Sequence, residues 1–266
     1  MTKQRLDKLL VELEYCTSRQ QAQKVIRDGE VKVNDRLFDK PGMQVSTSAK
    51  IEVKKKPPYV SRGGEKLKGA LDTFPINIEE RICLDGGIST GGFTDCLLQH
   101  GASLVYGVDV GYGQVDWKIR NDPRVILKER TNFRYLTPEN LYHNHQKATF
   151  GVMDLSFISL KKVLEPLWNL LQTPKEVILL IKPQFEVGRS RVGKKGVVKD
   201  RDHQAEAIFE VLKASQLLGW NYQGLVHSPI KGPAGNIEYL LWLNTMNKNK
   251  NISLEDILSI TNETSL

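Results

Sequence analysis

The chain reads as an α/β protein: a Rossmann-like, doubly wound and mostly parallel sheet, preceded by a small α/β unit. Three observations predict this. Beyond about residue 80, apolar strand-like runs alternate with helix-patterned ones. One strand end, Leu84-Asp85, opens into the glycine-rich turn Gly86-Gly87-Ile88-Ser89-Thr90-Gly91-Gly92, ahead of a helix-like run from Phe93 to Gln99. The alternation is preceded by Lys54-Lys55-Lys56-Pro57-Pro58, which suits neither a helix nor a sheet interior. The expected organisation is a unit over residues 1–55, a linker over 56–62, a larger domain over 63–248 and a C-terminal tail over 249–266.

In the first unit, Leu6, Leu9, Leu10 and Leu13 recur at helical spacing. Ser18 with Gln21 three residues later predicts a capping box opening a second helix. Its buried stripe is Ala22, Val25 and Ile26, and Gly29 ends it. Glu30 to Asn34 alternates as a half-buried strand does, Asn34-Asp35 turns the chain, and Ile51-Glu52-Val53 closes the unit. In the larger domain the expected strands are Ile82–Leu84, Leu104–Val110, Val125–Lys128, Phe150–Asp154, Val177–Lys182 and Tyr239–Leu243. Helical stripes run through Leu160, Val163, Leu164, Leu167 and Leu171, and through Ile208, Val211, Leu212, Ser215 and Leu218. Residues 247–266 are polar, apart from a short helix expected at Ser253–Ile260.

The 266 residues are 40% apolar and 26% charged, so a sizeable core is available and wholesale disorder is excluded. A net charge of +7 favours a polyanionic partner. The three cysteines, Cys16, Cys83 and Cys96, make neither a disulfide framework nor a zinc pattern, so no metal site is expected and a reducing, cytoplasmic setting fits. The first residues show no secretory apolar region, and runs such as Val177–Ile181 are far too short to span a bilayer, so no membrane partner is expected.

Ligands of open parallel sheets bind at the carboxyl ends of the strands, where Gly87, Gly91 and Gly92 are expected. The glycine spacing is neither that of a dinucleotide site nor that of a phosphate loop. The leading carboxylate of Asp85 repels an anion but suits a sulfonium or ammonium group. S-adenosylmethionine carries both and has no phosphate. Asp109 ends the next strand about 20 residues on, where a carboxylate can accept the ribose hydroxyls of an adenosine.

Two further strand ends carry polar residues. Asp154 follows Gly151-Val152-Met153, and Lys182 follows the apolar run up to Ile181. A lysine there is costly to bury unless paired. Ser61-Arg62-Gly63-Gly64-Glu65-Lys66 and the segment from Ser228 to Glu238 have the same polar, glycine-rich look.

The stretches "YVSRGGEKL", "STGGFTDCLLQHGA", "VYGVDVGYGQ", "DLSFISL", "IKPQFEVGR" and "SPIKGPAGNIEYLL" resemble the TlyA family of ribosomal RNA 2′-O-methyltransferases. This is a branch of the FtsJ-like, S-adenosylmethionine-dependent enzymes, sometimes called hemolysin A. The resemblance runs from about Arg5 to Leu243. It implies a methyltransferase sheet over residues 63–248 and, in "RLDKLLVELEYCTSRQQAQKVIRDGEVKVN", an N-terminal RNA-binding domain like that of ribosomal small-subunit protein four. The matching RNA-facing positions are Arg5, Lys8, Ser18, Arg19, Lys24, Arg27, Lys32 and Asn34. The resemblance also places the FtsJ-like catalytic tetrad on Lys66, Asp154, Lys182 and Glu238. It places the cofactor on Asp85, Gly87, Ser89, Thr90, Gly91, Gly92, Phe93, Asp109 and Asp154.

The implied reaction is methyl transfer to a ribose, of a cytidine, in ribosomal RNA or ribosomal subunits. Lys182 is the residue expected to contact the 2′-oxygen, either as a neutral base or as an ammonium stabilising the oxyanion. The basic track is expected to continue through Lys54, Lys55, Lys56 and Arg62 and through Arg189, Arg191, Lys194 and Lys195, in a segment expected to order on RNA. Compared with the family form D-I-G-A-S-T-G-G-F, Gly86 replaces a β-branched residue and Ile88 a small one, so Ile88 is expected to crowd the cofactor. The alternative function is an RNA-binding module whose methyltransferase domain is inactive. Against a membrane-active hemolysin, the sequence shows no spanning or long amphipathic segment. Against a base amino-methyltransferase, Asp154-Leu155-Ser156-Phe157 lacks the two prolines of the Asp/Asn-Pro-Pro-aromatic motif.

Overall fold

The computed structural model describes residues 2–54, 57–143 and 145–263. Lys55 and Lys56 of the expected basic track lie outside them. The chain divides into two compact units, Met1–Pro57 and Pro58–Leu266.

The first unit runs β1 (Lys3–Arg5), α1 (Leu6–Glu12), α2 (Arg19–Arg27), β2 (Val31–Val33), β3 (Arg36–Phe38), β4 (Gln44–Ser46) and β5 (Ile51–Val53). Strand β2 lies between β3 and β5, antiparallel to both, and β1 pairs with β4 in a second small ladder. Leu6, Leu9 and Leu10 bury against Ala22, Ile26, Val31 and Ile51, which is the helical stripe meeting the alternating strand. Asn34 and Asp35 both take positive φ, as a tight hairpin turn requires. The capping box is half formed. Gln21 N donates to Ser18 Oγ at 3.2 Å, but Gln21 Oε1 accepts from Thr17 N at 2.8 Å rather than from Ser18.

The second unit runs α3 (Gly63–Thr73), β6 (Ile82–Gly86), α4 (Gly92–Gln99), β7 (Leu104–Val108), α5 (Trp117–Arg120), β8 (Val125–Lys128), α6 (Pro138–Tyr142), β9 (Phe150–Met153), α7 (Leu164–Leu170), β10 (Glu176–Ile181), α8 (Pro183–Glu186), α9 (Arg201–Leu217), β11 (Asn221–His227), β12 (Tyr239–Asn244) and α10 (Leu254–Asn262). The sheet order is β11-β12-β10-β9-β6-β7-β8. Strands β10, β9, β6, β7 and β8 are mutually parallel, and β12 inserts antiparallel beside β10. Every residue of β9, β10 and β12 is buried, which explains their continuous apolar runs. Two apolar clusters flank the sheet, one including Leu84, Tyr106, Leu179 and Leu241, the other Cys83, Val105, Ile178 and Leu240.

Three details differ from the expectations. The 160–171 stripe splits into a 3-10 turn, Leu160–Lys162, and the helix α7. Strand β11 was not expected, because its Gln223 and Gly224 break the alternation at a bulge. Within the expected tail, α10 buries Ile257 in the core cluster that also holds Val211 and Leu212 of α9, so this stretch is part of the packed unit.

Candidate active site

The order β10-β9-β6-β7 brings four loops to the carboxyl end of the sheet. They are the glycine turn after β6, Asp109 after β7, Asp154 after β9 and Lys182 after β10. Chain reversal through β12 returns Glu238 to the same end, because β12 runs antiparallel from Tyr239 opposite Ile181. Lys66 arrives from α3, which packs beside α4. The four expected tetrad residues therefore meet, although the chain separates Lys66 from Glu238 by 172 positions.

They meet as two ion pairs. Lys66 Nζ donates to Glu238 Oε2 at 2.6 Å, with both side chains buried. Lys182 Nζ lies 2.6 Å from Asp154 Oδ1 and donates to Ser156 Oγ at 2.8 Å. Burying each lysine beside a carboxylate offsets the desolvation that a lone ammonium would incur.

Two cavities adjoin this cluster and share Gly87, Ser89 and Asp154 as lining. The smaller, about 390 Å³, takes Lys66, Thr90, Gly92 and Phe93. The larger, about 810 Å³, takes Asp109, Asn132, Phe133, Leu155 and Phe157. Gly87 has a φ of +89°, and a Cβ there would stand 2.7 Å from the carbonyl oxygen of Asp154. Only glycine lets the turn come this close to the neighbouring strand end. Gly91, with a φ of +98°, sets the N-terminus of α4. Asp109 is held by two backbone donors, Ser89 N at 2.8 Å and Gly111 N at 2.7 Å, so its carboxylate is fixed at the cavity wall.

Asp85 is not at that wall. It is wholly buried and lines neither cavity. Its Oδ2 accepts from Thr94 Oγ1 at 2.6 Å, which ties β6 to the first turn of α4. Burial pushes its carboxyl up to about 7, with Asp154 and Asp109 adding like-charge repulsion. Asp109 and Asp154 are the carboxylates at the cavity walls, and Asp85 braces the turn from below. Lys182 also lines neither cavity; it sits behind Asp154.

The two departures in the glycine turn are absorbed by neighbours. Ile88 points into the core, where Gly107 leaves room: a Cβ on Gly107 would stand 2.4 Å from Ile88 Cδ1. The side-chain space missing at Gly86 is filled by Met153 and Phe133, whose atoms would lie 2.5 Å and 2.9 Å from a Cβ there. Ile88 also lines the smaller cavity.

The basic residues divide. Lys8, Arg19, Lys24, Arg27 and Lys32 are exposed on the first unit. Arg5 and Arg19 both bind the buried Asp7, at 2.9 Å and 3.0 Å. Ser18 and Asn34, expected to face RNA, are exposed and also serve the backbone: Ser18 Oγ caps α2 and Asn34 Oδ1 accepts from Lys50 N at 2.9 Å. Arg62 Nη2 donates to Lys231 O at 2.7 Å, and Arg191 pairs with Glu206. Arg189 lines the larger cavity, and Lys194 and Lys195 are exposed. The 188–196 segment carries a 3-10 turn at Arg189–Arg191 and a Gly193 N to Val197 O bond of 3.1 Å.

Residues 59–245 match the model of the FtsJ-like methyltransferase family, and residues 4–51 that of the S4 domain. The chain belongs to the FtsJ-like methyltransferase family. It is 45% identical over 243 residues to the 16S/23S rRNA (cytidine-2′-O)-methyltransferase TlyA of Mycobacterium tuberculosis, covering 91% of this chain and 90% of that one. It is 40% identical to the Hemolysin A of Brachyspira hyodysenteriae, covering 89% and 98%. The solved structure of a protein called a hemolysin, from Streptococcus thermophilus, superposes with a TM-score of 0.73 at 38% identity, covering 98% and 95%. Among the described residues, no helix is long and apolar enough to cross a membrane. The carboxylates and close backbone at the cavities fit S-adenosylmethionine, the cofactor of this family's chemistry.

Inspection of the sequence missed Ser156, Phe157 and Phe185. Phe157 is 92% exposed, holds a positive φ of 65° and packs on Phe185 at 5.2 Å. A large aromatic directly after a polar strand end was the available signal.

Proposed function

We propose that this protein transfers the methyl group of S-adenosylmethionine to the ribose 2′-hydroxyl of a cytidine in ribosomal RNA. The observation that carries this is the meeting of two lysine–carboxylate pairs, with Lys66, Glu238 and Lys182 buried, beside the cavities lined by the glycine turn and Asp109. Bound there, the cofactor supplies an electrophilic methyl group on a sulfonium. Asp109 would accept ribose hydroxyls of its adenosine, and Gly87, Ser89, Thr90, Gly91, Gly92 and Phe93 would line its path. The Lys182 ammonium donates to Ser156 Oγ and is ion-paired with Asp154 Oδ1 at 2.6 Å. Its charge lies against Asp154, which lines both cavities, so it would stabilise the 2′-oxyanion as the hydroxyl proton leaves. Lys66, held by Glu238, adds positive charge on the other side of Asp154's cavity. The exposed face of Phe157 offers a stacking surface for an unpaired base.

We assign residues 1–55 to RNA docking and 63–248 to catalysis, with the ribosome of the cytoplasm as the setting. The test is methyl transfer from labelled cofactor to ribosomal subunits that lack the modification. Alkali-resistant, labelled dinucleotides made by the wild type and absent with Lys182→Ala support the reading. Cofactor binding with no transfer to either subunit sinks it in favour of an RNA-binding module.

A further inference from the structure

The side chain of Asn236 fastens the basic segment that follows α8 to the loop bearing Glu238. Asn236 Nδ2 donates to Gly196 O at 2.8 Å, and Asn236 Oδ1 accepts from Val198 N at 3.0 Å. Asn236 and Val198 are both 2% exposed, so water does not compete for these bonds. A primary amide donates and accepts from one planar end, and this site uses both functions.

The backbone of the same residue continues the connection. Asn236 O accepts from Gly232 N at 2.9 Å. Gly232 is the surface on which the catalytic carboxylate rests, because a Cβ there would stand 2.4 Å from Glu238 Oε1. The other oxygen of Glu238 holds Lys66. A second tie flanks Glu238 on its far side: Gln204 Nε2 donates to Val198 O at 2.7 Å, and Tyr239 Oη donates to Gln204 Oε1 at 2.5 Å. Lys194 and Lys195 stand exposed in the turn closed by the 2.8 Å bond from Gly196 N to Gly193 O. Any anion drawn to them acts on the peptide whose carbonyl Asn236 holds.

We propose that Asn236 is a positioning residue that makes the geometry of the Lys66–Glu238 pair depend on the course of the basic segment, so that RNA gripped at Lys194 and Lys195 sets the catalytic pair. This rests on the methyltransferase reading above. An RNA that binds the segment only in its fastened course favours the state in which Glu238 is held.

The experiment compares full-length wild type, Asn236→Ala, Lys194→Ala/Lys195→Ala and the triple variant on unmodified ribosomal subunits, with melting temperature and cofactor Kd measured for each. Asn236→Ala is expected to bind the cofactor as the wild type does and to lower kcat by about 10–100-fold, with KM for subunits changed far less. The lysine pair is expected to lower kcat as well as raise KM, and to leave the kcat of Asn236→Ala unchanged. A lysine effect confined to KM and equal in both backgrounds overturns the proposal. So does a kcat loss no larger than the loss of folded protein. If Asn236→Ala does not fold, the isosteric Asn236→Asp, which keeps the acceptor for Val198 N, is read the same way. Amide hydrogen exchange decides independently of activity. Bound ribosomal RNA is expected to protect residues 228–238 in the wild type and not in Asn236→Ala, and equal protection in both overturns the coupling. A wild type that transfers no methyl group refutes the methyltransferase reading, while the exchange measurement still judges the coupling.

Discussion

The first unit and the carboxyl end of the large sheet both bury carboxylates beside basic residues, and they do so in opposite ways. Around Asp7 the carboxylate is wholly buried while the arginines that bind it, Arg5 and Arg19, keep 38% and 51% of their side chains exposed. Around the tetrad, Lys66 and Glu238 are both buried, as is Lys182. In the first case a buried anchor steers cations outward, where a large polyanion can reach them. In the second the cations are held inward, each against a carboxylate at the carboxyl end of the sheet. On the proposed function, the difference separates charge used to bind from charge used on reacting atoms.

The comparison breaks most visibly at Lys182. Lys182→Ala is expected to lower kcat by roughly 10²–10⁴-fold with cofactor binding retained, read by labelled methyl transfer and calorimetry. Next comes the Lys66–Glu238 pair. Removing one partner strands a buried charge and is expected to lower stability by about 3–5 kcal/mol, whereas replacing both with apolar residues of similar size returns stability to near the wild-type value. Denaturant unfolding of Glu238→Leu and of Lys66→Met/Glu238→Leu measures this. The double variant is expected to fold and to stay inactive, which separates the pair's role in the reaction from its part in folding.

The two buried carboxylates also predict opposite pH behaviour. Asp85 has one buried oxygen with no hydrogen-bond partner, and burial raises it to about 7, above its unfolded-state value of about 4. The protonated form therefore belongs to the folded state. Its contribution is full below about pH 4 and is lost as pH rises through about 7. Asp85→Asn is expected to flatten that fall in unfolding free energy between those two values. Asp7 is held well below the usual carboxylate range, first by its bond to Arg5. Its contribution persists above that range and is lost only in strong acid.

Much of this arrangement was legible in the residues. The parallel strands announce themselves as continuous apolar runs because both faces of β9 and β10 are covered. Lys182 and Asp154 stand out because each is a charge ending such a run. What was not legible is pairing and depth. Nothing in "SRGGEK" says that Lys66 bonds Glu238 rather than Asp154, since that choice follows from the antiparallel insertion of β12. Asp85 looks like a ligand-facing carboxylate by position, yet the turn carries it beneath the cavity, because Thr94 in the next helix offers its hydroxyl there. Strand β11 escaped notice because an edge strand with a bulge needs no regular alternation.

The smallest expected effect is at the exposed side of the comparison. Arg19 gives only its Nε to Asp7, so its terminal nitrogens are free to meet a phosphate. Arg19→Ala is expected to leave the melting temperature and the cofactor Kd near wild type, because a half-exposed ion pair contributes at most about 1 kcal/mol. Its effect belongs to RNA. Binding to ribosomal RNA should weaken uniformly across sequences, and the slope of log K against log salt should become shallower by about 1, the signature of one lost phosphate contact. Lys182→Ala should leave that slope untouched. If Lys182→Ala alters the salt slope as much as Arg19→Ala does, then the inward-held cations also touch the phosphate backbone, and the division between binding charge and reacting charge does not hold.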